Sequence, residues 1–130
     1  SGQLDEIVGR LKAQGAIDDE KFSESWTEER LHLHRKGTRL IKQELLGKGV
    51  DRRIVQEALG NVDPDAERKS AAALARKRWP ILAASGDRKA AVRKLYAYLA
   101  RRGYSHSAIR TAIREAQLDA DIAEEFGGGD

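Results

Sequence analysis

Residues 40–59 read LIKQELLGKGVDRRIVQEAL, and residues 94–113, fifty-four positions on, read KLYAYLARRGYSHSAIRTAI. The two stretches share one grammar. Ile41 and Leu45, like Leu95 and Leu99, stand one helical turn apart. A basic residue and a glycine follow, Lys48-Gly49 and Arg102-Gly103. Glycine ends a helix because it enters the left-handed conformation without a Cβ clash. Asp51 and Ser105 come next, and their oxygens can accept the free N–H groups of a new first turn. Val55, Ala58 and Leu59, matched by Ile109, Ala112 and Ile113, then form a second apolar face. Each stretch is preceded by a long basic helix, over 19–36 and 64–78. Residues 18–62 and 63–117 therefore read as two copies of a three-helix unit.

Working outward, Leu4, Ile7, Val8 and Leu11 recur at helical spacing. Gly15 is expected to end that helix, and Asp18 to start another carrying Phe22, Trp26 and Leu33 to about Lys36. Gly37 breaks the chain again and Thr38 is expected to cap the next helix. Asp63-Pro64 is a restart, with a capping carboxylate before a proline at the first helical position. Pro80 is expected to stop or kink its helix near Trp79, because a proline disfavours helical geometry in the residue before it. Ser85-Gly86-Asp87 is a loop carrying a new cap. The reading is all-α: tandem three-helix repeats in an elongated array of about seven helices. Residues 1–17 form the terminal helix of an incomplete first repeat, and 118–130 a frayed acidic tail.

The net charge of +3 conceals a segmentation. Residues 1–29 carry three basic and eight acidic groups; residues 30–53 carry eight and two. Residues 65–114 carry thirteen basic groups against three acidic, a net +10, and residues 115–130 carry six acidic groups and no basic one. Basic blocks between acidic ends point toward a polyanionic or acidic partner. The absence of cysteine excludes a disulfide framework, a thiol nucleophile and a Cys-ligated metal. No segment approaches the roughly 20 apolar residues of a membrane span. Ser1-Gly2-Gln3 lacks the basic run and apolar core of a secretory signal. Its Ser-Gly, set directly before an amphipathic helix, suggests a cleaved tag on a shortened chain.

Enzymatic motifs are missing. No nucleophile elbow, phosphate-binding loop or dinucleotide fingerprint occurs. His32 and His34 are two apart and point to different sides of a helix, so they cannot chelate one ion. The acid pairs Glu28-Glu29 and Glu124-Glu125 lack an apolar pocket that would raise a pKa for proton transfer. The expected protein is a non-enzyme without cofactor or metal. The candidate binding residues are basic: Arg35, Lys36, Arg39 and Lys42 around one helix junction; Arg76, Lys77 and Arg78 at a helix end; Arg93, Lys94, Arg101 and Arg102 along the following helix; Arg110 and Arg114 one turn apart. Cations also favour helix C-termini, which accounts for part of the second group. Tyr98, off the Leu95/Leu99 face and among these cations, could stack on a base or fill a partner pocket. Tyr96, Trp26 and Trp79 read as core.

The segments GAIDDEKF (15–22), Arg35-Lys36-Gly37 and IKQELLGKGV (41–50) resemble the RecX family of recombination regulators. The likeness continues through Ile54–Leu59, Ala75–Trp79, Arg93–Leu99, Arg102-Gly103-Tyr104 and Ile109, covering about residues 4–117. Family members usually begin with further helices, in keeping with a shortened chain. The resemblance implies a bacterial, cytoplasmic modulator, mostly an inhibitor, of the RecA recombinase. Such a protein is built of tandem three-helix repeats and lies in the groove of the RecA–DNA filament, where it suppresses ATP hydrolysis and strand exchange. It implies a RecA partner with weaker binding to single- and double-stranded DNA, a monomeric state, and no membrane association. The alternative reading is a basic helical module that binds nucleic acid without sequence preference.

Overall fold

The computed structural model describes residues 2–127. Gly128, Gly129 and Asp130, the end of the expected acidic tail, lie outside the described residues. Six helices follow one another: α1 Gly2–His32, α2 Thr38–Gly47, α3 Arg52–Gly60, α4 Pro64–Ala83, α5 Arg88–Arg101 and α6 His106–Gly127. There is no strand among the described residues.

The capping grammar is realised in atoms. The Asp51 carboxylate accepts the Arg53 N–H at 2.9 Å, and Asp63 accepts that of Asp65 at 3.0 Å. Asp87 accepts from Ala90 at 3.0 Å and Ser105 Oγ from Ala108 at 3.2 Å. Gly49 and Gly103 turn the chain with φ of 86° and 92°, the left-handed geometry their position demands. Thr38 does not cap α2. The N-cap is Gly37, which lacks a side-chain cap bond, and Thr38 is the first helical residue.

Four boundaries differ from expectation, and six helices stand where seven were expected; α1 ends at His32, not near Lys36, because the chain turns there through Arg35 at a φ of 51°. Gly15 lies inside α1, not at its end. A lone glycine costs a helix only about 1 kcal/mol relative to alanine, and Ala13, Gln14 and Ala16 around it are helix-compatible. Asp18 is likewise inside the helix, where its carboxylate accepts from the Gln14 side chain at 3.1 Å. Pro80 does not end α4, which runs on to Ala83. Trp79 is only 4% exposed and Leu82 and Ala83 pack on the same core, so burial holds the last turn against the proline. The acidic stretch from Leu118 to Gly127 is helical, a continuation of α6 and not a frayed tail. Ala120 packs on the core, and Asp119 and Asp121 reach Arg76 and Arg88 at 2.9 and 3.3 Å.

Two cores result. Leu31 from α1, Ile41 and Leu45 from α2, and Val50 and Val55 before and within α3 form the first, with Trp26 and Leu59 half-buried at its edge. Ala71, Ala75 and Trp79 of α4, Leu95 and Leu99 of α5, and Ile109, Ala112 and Ile113 of α6 form the second. Leu45 and Leu99, equivalent in the repeat, are both fully buried. By contrast, Leu4, Ile7 and Leu11 on the N-terminal half of α1 are more than half exposed, and Phe22 is 40% exposed.

The units meet in a seam of backbone bonds. Gly37 N–H donates to the Arg102 carbonyl at 2.8 Å, and Arg39 N–H to that of Gly103 at 3.1 Å. Ser70 Oγ donates to the Leu31 carbonyl at 2.8 Å; its single proton thus used, it accepts the Tyr104 hydroxyl at 2.6 Å. Glu67, 8% exposed, accepts the Ser105 N–H at 3.1 Å.

Candidate partner-binding face

The fourteen candidate residues divide into two sets and one outlier, Lys42. Five are tied into the fold. The Arg102 guanidinium donates to the carbonyls of His34 and Arg35, the latter at 3.0 Å, and thereby holds the loop where Arg35 adopts a φ of 51°. Arg39 Nη2 donates to the Ala100 carbonyl at 2.9 Å. Lys36 Nζ lies 2.5 Å from Glu44, which also accepts from Trp26 Nε1 at 3.2 Å. Arg76 pairs with Asp119. Cluster membership in the sequence could not reveal these roles, because every partner except Glu44 is more than twenty residues away or is a backbone carbonyl.

The second set is open. Lys77, Arg93, Lys94 and Arg101 are exposed and make no ion pair among the described residues. Arg78 sets its guanidinium 4.2 Å from the centroid of the Tyr98 ring, a cation–π contact from the end of α4 to the middle of α5. Lys94 stands one turn before Tyr98 on the same helix row, and Arg101 lies one turn beyond Ala97 in the Arg93 row. The half-buried Tyr98 packs on the second core and is held by Arg78. Arg78, Lys94 and Arg101 therefore make one cationic face around Tyr98 across α4 and α5, with Arg93 on the next row of α5 and Lys77 on the outer side of α4. Arg110 and Arg114 are exposed on α6. They continue the helix row of His106, whose Nδ1 meets the Tyr96 hydroxyl at 2.5 Å.

Lys42 belongs elsewhere. It lines a cleft of about 470 Å³ between the two units, with Arg39, Arg68, Thr38, Ser105 and Ser107 around it. Arg68, which the charge clusters did not single out, lines this cleft and pairs with Asp65. Glu67 also lines the cleft, so its lining is mixed in sign.

Catalytic geometry is not evident in these surroundings. His32 and His34 reach separate carboxylates, Glu28 and Glu29, each at 3.4 Å. Among the described residues no three His, Asp or Glu side chains gather as metal ligands. Burial pushes the Tyr104 hydroxyl up to about 12, against the lowering pull of the Arg102 and Arg35 charges. It is 1% exposed, which suits a structural hydroxyl. Among the described residues no helix is long and apolar enough to cross a membrane.

Two family models match the chain. Residues 18–59 match the second three-helix domain of RecX, and residues 65–113 its third three-helix domain. A regulatory protein RecX of Mycobacterium leprae is 36% identical over 115 residues, covering 88% of this chain and 67% of that protein. The chain belongs to the RecX family. The RecX protein of Corynebacterium efficiens is 35% identical over 125 residues, 93% of this chain and 59% of that protein. The one from Mycobacterium tuberculosis is 40% identical over 104 residues, 78% and 60% of the respective chains. The chain thus spans 59–67% of the length of these relatives. The crystal structure of RecX from Lactobacillus salivarius superposes with a TM-score of 0.75 at 27% identity, covering 91% of this chain and 76% of that one. The cationic face of α4 and α5 lies within the part matched to the third RecX domain.

Proposed function

We propose that this RecX-family chain is a regulator, mainly an inhibitor, of the bacterial recombinase RecA, acting in recombination and DNA repair in the cytoplasm. It binds in the groove of the RecA–DNA filament and suppresses ATP hydrolysis and strand exchange without chemistry of its own. The observation that carries this reading is the cationic face. Arg78, Lys94 and Arg101 are held on two packed helices around Tyr98, with Arg93 and Lys77 flanking them, and most of these charges have no counterion among the described residues. A rigid array of uncompensated cations matches phosphates and acidic protein surfaces alike, and its field raises the rate of encounter with either. The same face supports weaker binding to single- and double-stranded DNA, with the Arg78 guanidinium, seated on Tyr98, offering a planar cation for base stacking.

The test is the RecA ATPase on single-stranded DNA with increasing protein. Falling hydrolysis is expected, and the triple substitution Arg93→Glu, Lys94→Glu, Arg101→Glu should abolish most of the effect. An unaltered ATPase with the unmodified protein present in excess over RecA overturns the reading. Binding to DNA that disappears with salt while the ATPase stays untouched would favour a simple nucleic-acid-binding module.

A further inference from the structure

A groove between α1 and α3 is predominantly acidic. Three contiguous clefts, of about 690, 380 and 270 Å³, follow one another where α1 packs on α3. The outermost is mixed in charge, with Lys12 and Arg53 in its wall. The inner two are lined by the carboxylates of Glu20, Glu24, Glu28, Glu57 and Asp63, with His32 beside Glu28 and no Lys or Arg. Glu20, Glu24 and Glu57 have no cationic partner among the described residues, and Glu28 meets only His32. The innermost cleft has apolar walls as well, from Leu31, Ala58, Val62 and Ala66. Thr27 also lines it. That side chain is 4% exposed, and its hydroxyl, like Ser23 Oγ and Arg30 Nε on the same helix, has no hydrogen-bond partner among the described residues.

An unpaired buried hydroxyl costs about 1–3 kcal/mol, and native proteins rarely leave one without a partner. A wall of methyl and methylene groups under a rim of carboxylates suits one chemistry, a lysine or arginine side chain. Its apolar stem lies along such walls while its charged head reaches the rim. We propose that the groove between α1 and α3 docks a basic segment of a partner protein, one Lys or Arg of which enters the innermost cleft beside Thr27. The charge of the groove selects a cationic protein segment and repels nucleic acid. The groove shares no residue with the cationic face, so this inference and the proposed function can fail separately.

The experiment is a two-dimensional NMR titration of the whole chain with decalysine. Amide shifts concentrated at Glu24, Thr27, Ala58 and Asn61 are expected. Glu24→Gln/Glu57→Gln should weaken binding about fivefold or more, since it removes two of the carboxylates that line the groove. Both glutamates are exposed, so the double variant keeps its fold. Shifts spread equally over the acidic stretch 119–125 of α6 would mark diffuse attraction and overturn the proposal. Undiminished affinity in the double variant overturns it too. Concentration-dependent self-association lost in the same variant would identify the occupant as a second copy, and equally overturn a distinct partner.

Discussion

A Cβ added to Gly37 would stand 2.3 Å from the carbonyl carbon of Gly103. The two glycines, sixty-six residues apart, bring the start of α2 and the end of α5 into direct backbone contact. A Cβ at Gly103 would in turn meet the Leu40 Cβ at 2.5 Å. Gly37→Ala is expected to cost at least about 1–3 kcal/mol, the usual penalty for overpacking, because backbone and not a flexible side chain is in the way. Gly103→Ala adds the strain of a φ of 92°. Gly60→Ala, with open space around its Cβ, is the control and should be neutral or mildly stabilising. Urea denaturation reads all three.

Tyr104 makes stability fall at high pH. Its folded pKa is about 12 against an ordinary value of 10.0, so below pH 10 the hydroxyl is neutral in both states and the seam is at full strength. Between pH 10 and 12 the unfolded chain loses this proton while the folded chain keeps it. Stability then declines by up to about 1.4 kcal/mol per pH unit, reaching a loss of about 2–3 kcal/mol. Tyr104→Phe should remove that part of the decline at a cost of about 1 kcal/mol at neutral pH, since Ser70 keeps its bond to Leu31. The difference between the two denaturation curves across pH isolates the residue. Parallel curves from pH 9 to 12 would contradict the assignment.

Pro80 predicts a gain. It stands inside α4 and is exposed, so Pro80→Ala keeps the packing of Trp79 while restoring a backbone donor and relieving the clash one turn back. A stabilisation of about 1–3 kcal/mol is expected. A loss of stability would show that the proline sets the helix curvature that seats Trp79.

The cationic face predicts a salt signature. If Lys94 and Arg101 each meet a phosphate, Lys94→Gln/Arg101→Gln should lower the slope of log affinity against log salt by about 1–2 units. Arg78→Gln should weaken single-stranded DNA binding more than double-stranded, since it removes a planar guanidinium on which an unpaired base can stack. Fluorescence anisotropy at several salt concentrations checks both.

Much of this architecture was legible in the chain. The 54-residue repeat located Leu45 and Leu99, and both are fully buried. Asp51, Asp63, Asp87 and Ser105 were readable because a cap is a local interaction between near neighbours. Gly15 and Pro80 misled for the converse reason. Each has a local cost of a few kcal/mol at most, which neighbouring helix formers offset at Gly15 and the buried Trp79 at Pro80. The candidate face was only half legible. Charge density marked Arg93, Lys94 and Arg101, but Arg102 and Arg39 carry the same charge and serve carbonyls more than sixty residues away in sequence. The Arg78–Tyr98 pairing needs the packing of α4 on α5, and the Thr27 cleft needs that of α1 on α3.

Core substitutions test whether the two units are equally strong. Leu45→Ala and Leu99→Ala each delete a fully buried side chain and should cost about 2–5 kcal/mol. The five buried residues of the first core leave less to absorb the loss than the thirteen of the second, so Leu45→Ala is expected to be the more damaging.

The backbone seam has a thermodynamic consequence. A core as small as the first is marginal alone, because few apolar side chains must offset the chain entropy of some forty residues. The hydrogen bonds from Gly37 and Arg39 to the second unit, and from Ser70 to Leu31, form only when both units are folded. Neither unit can therefore unfold without the other losing part of its support. Heating should give one sharp heat-capacity peak with equal calorimetric and van't Hoff enthalpies, the mark of a single cooperative body.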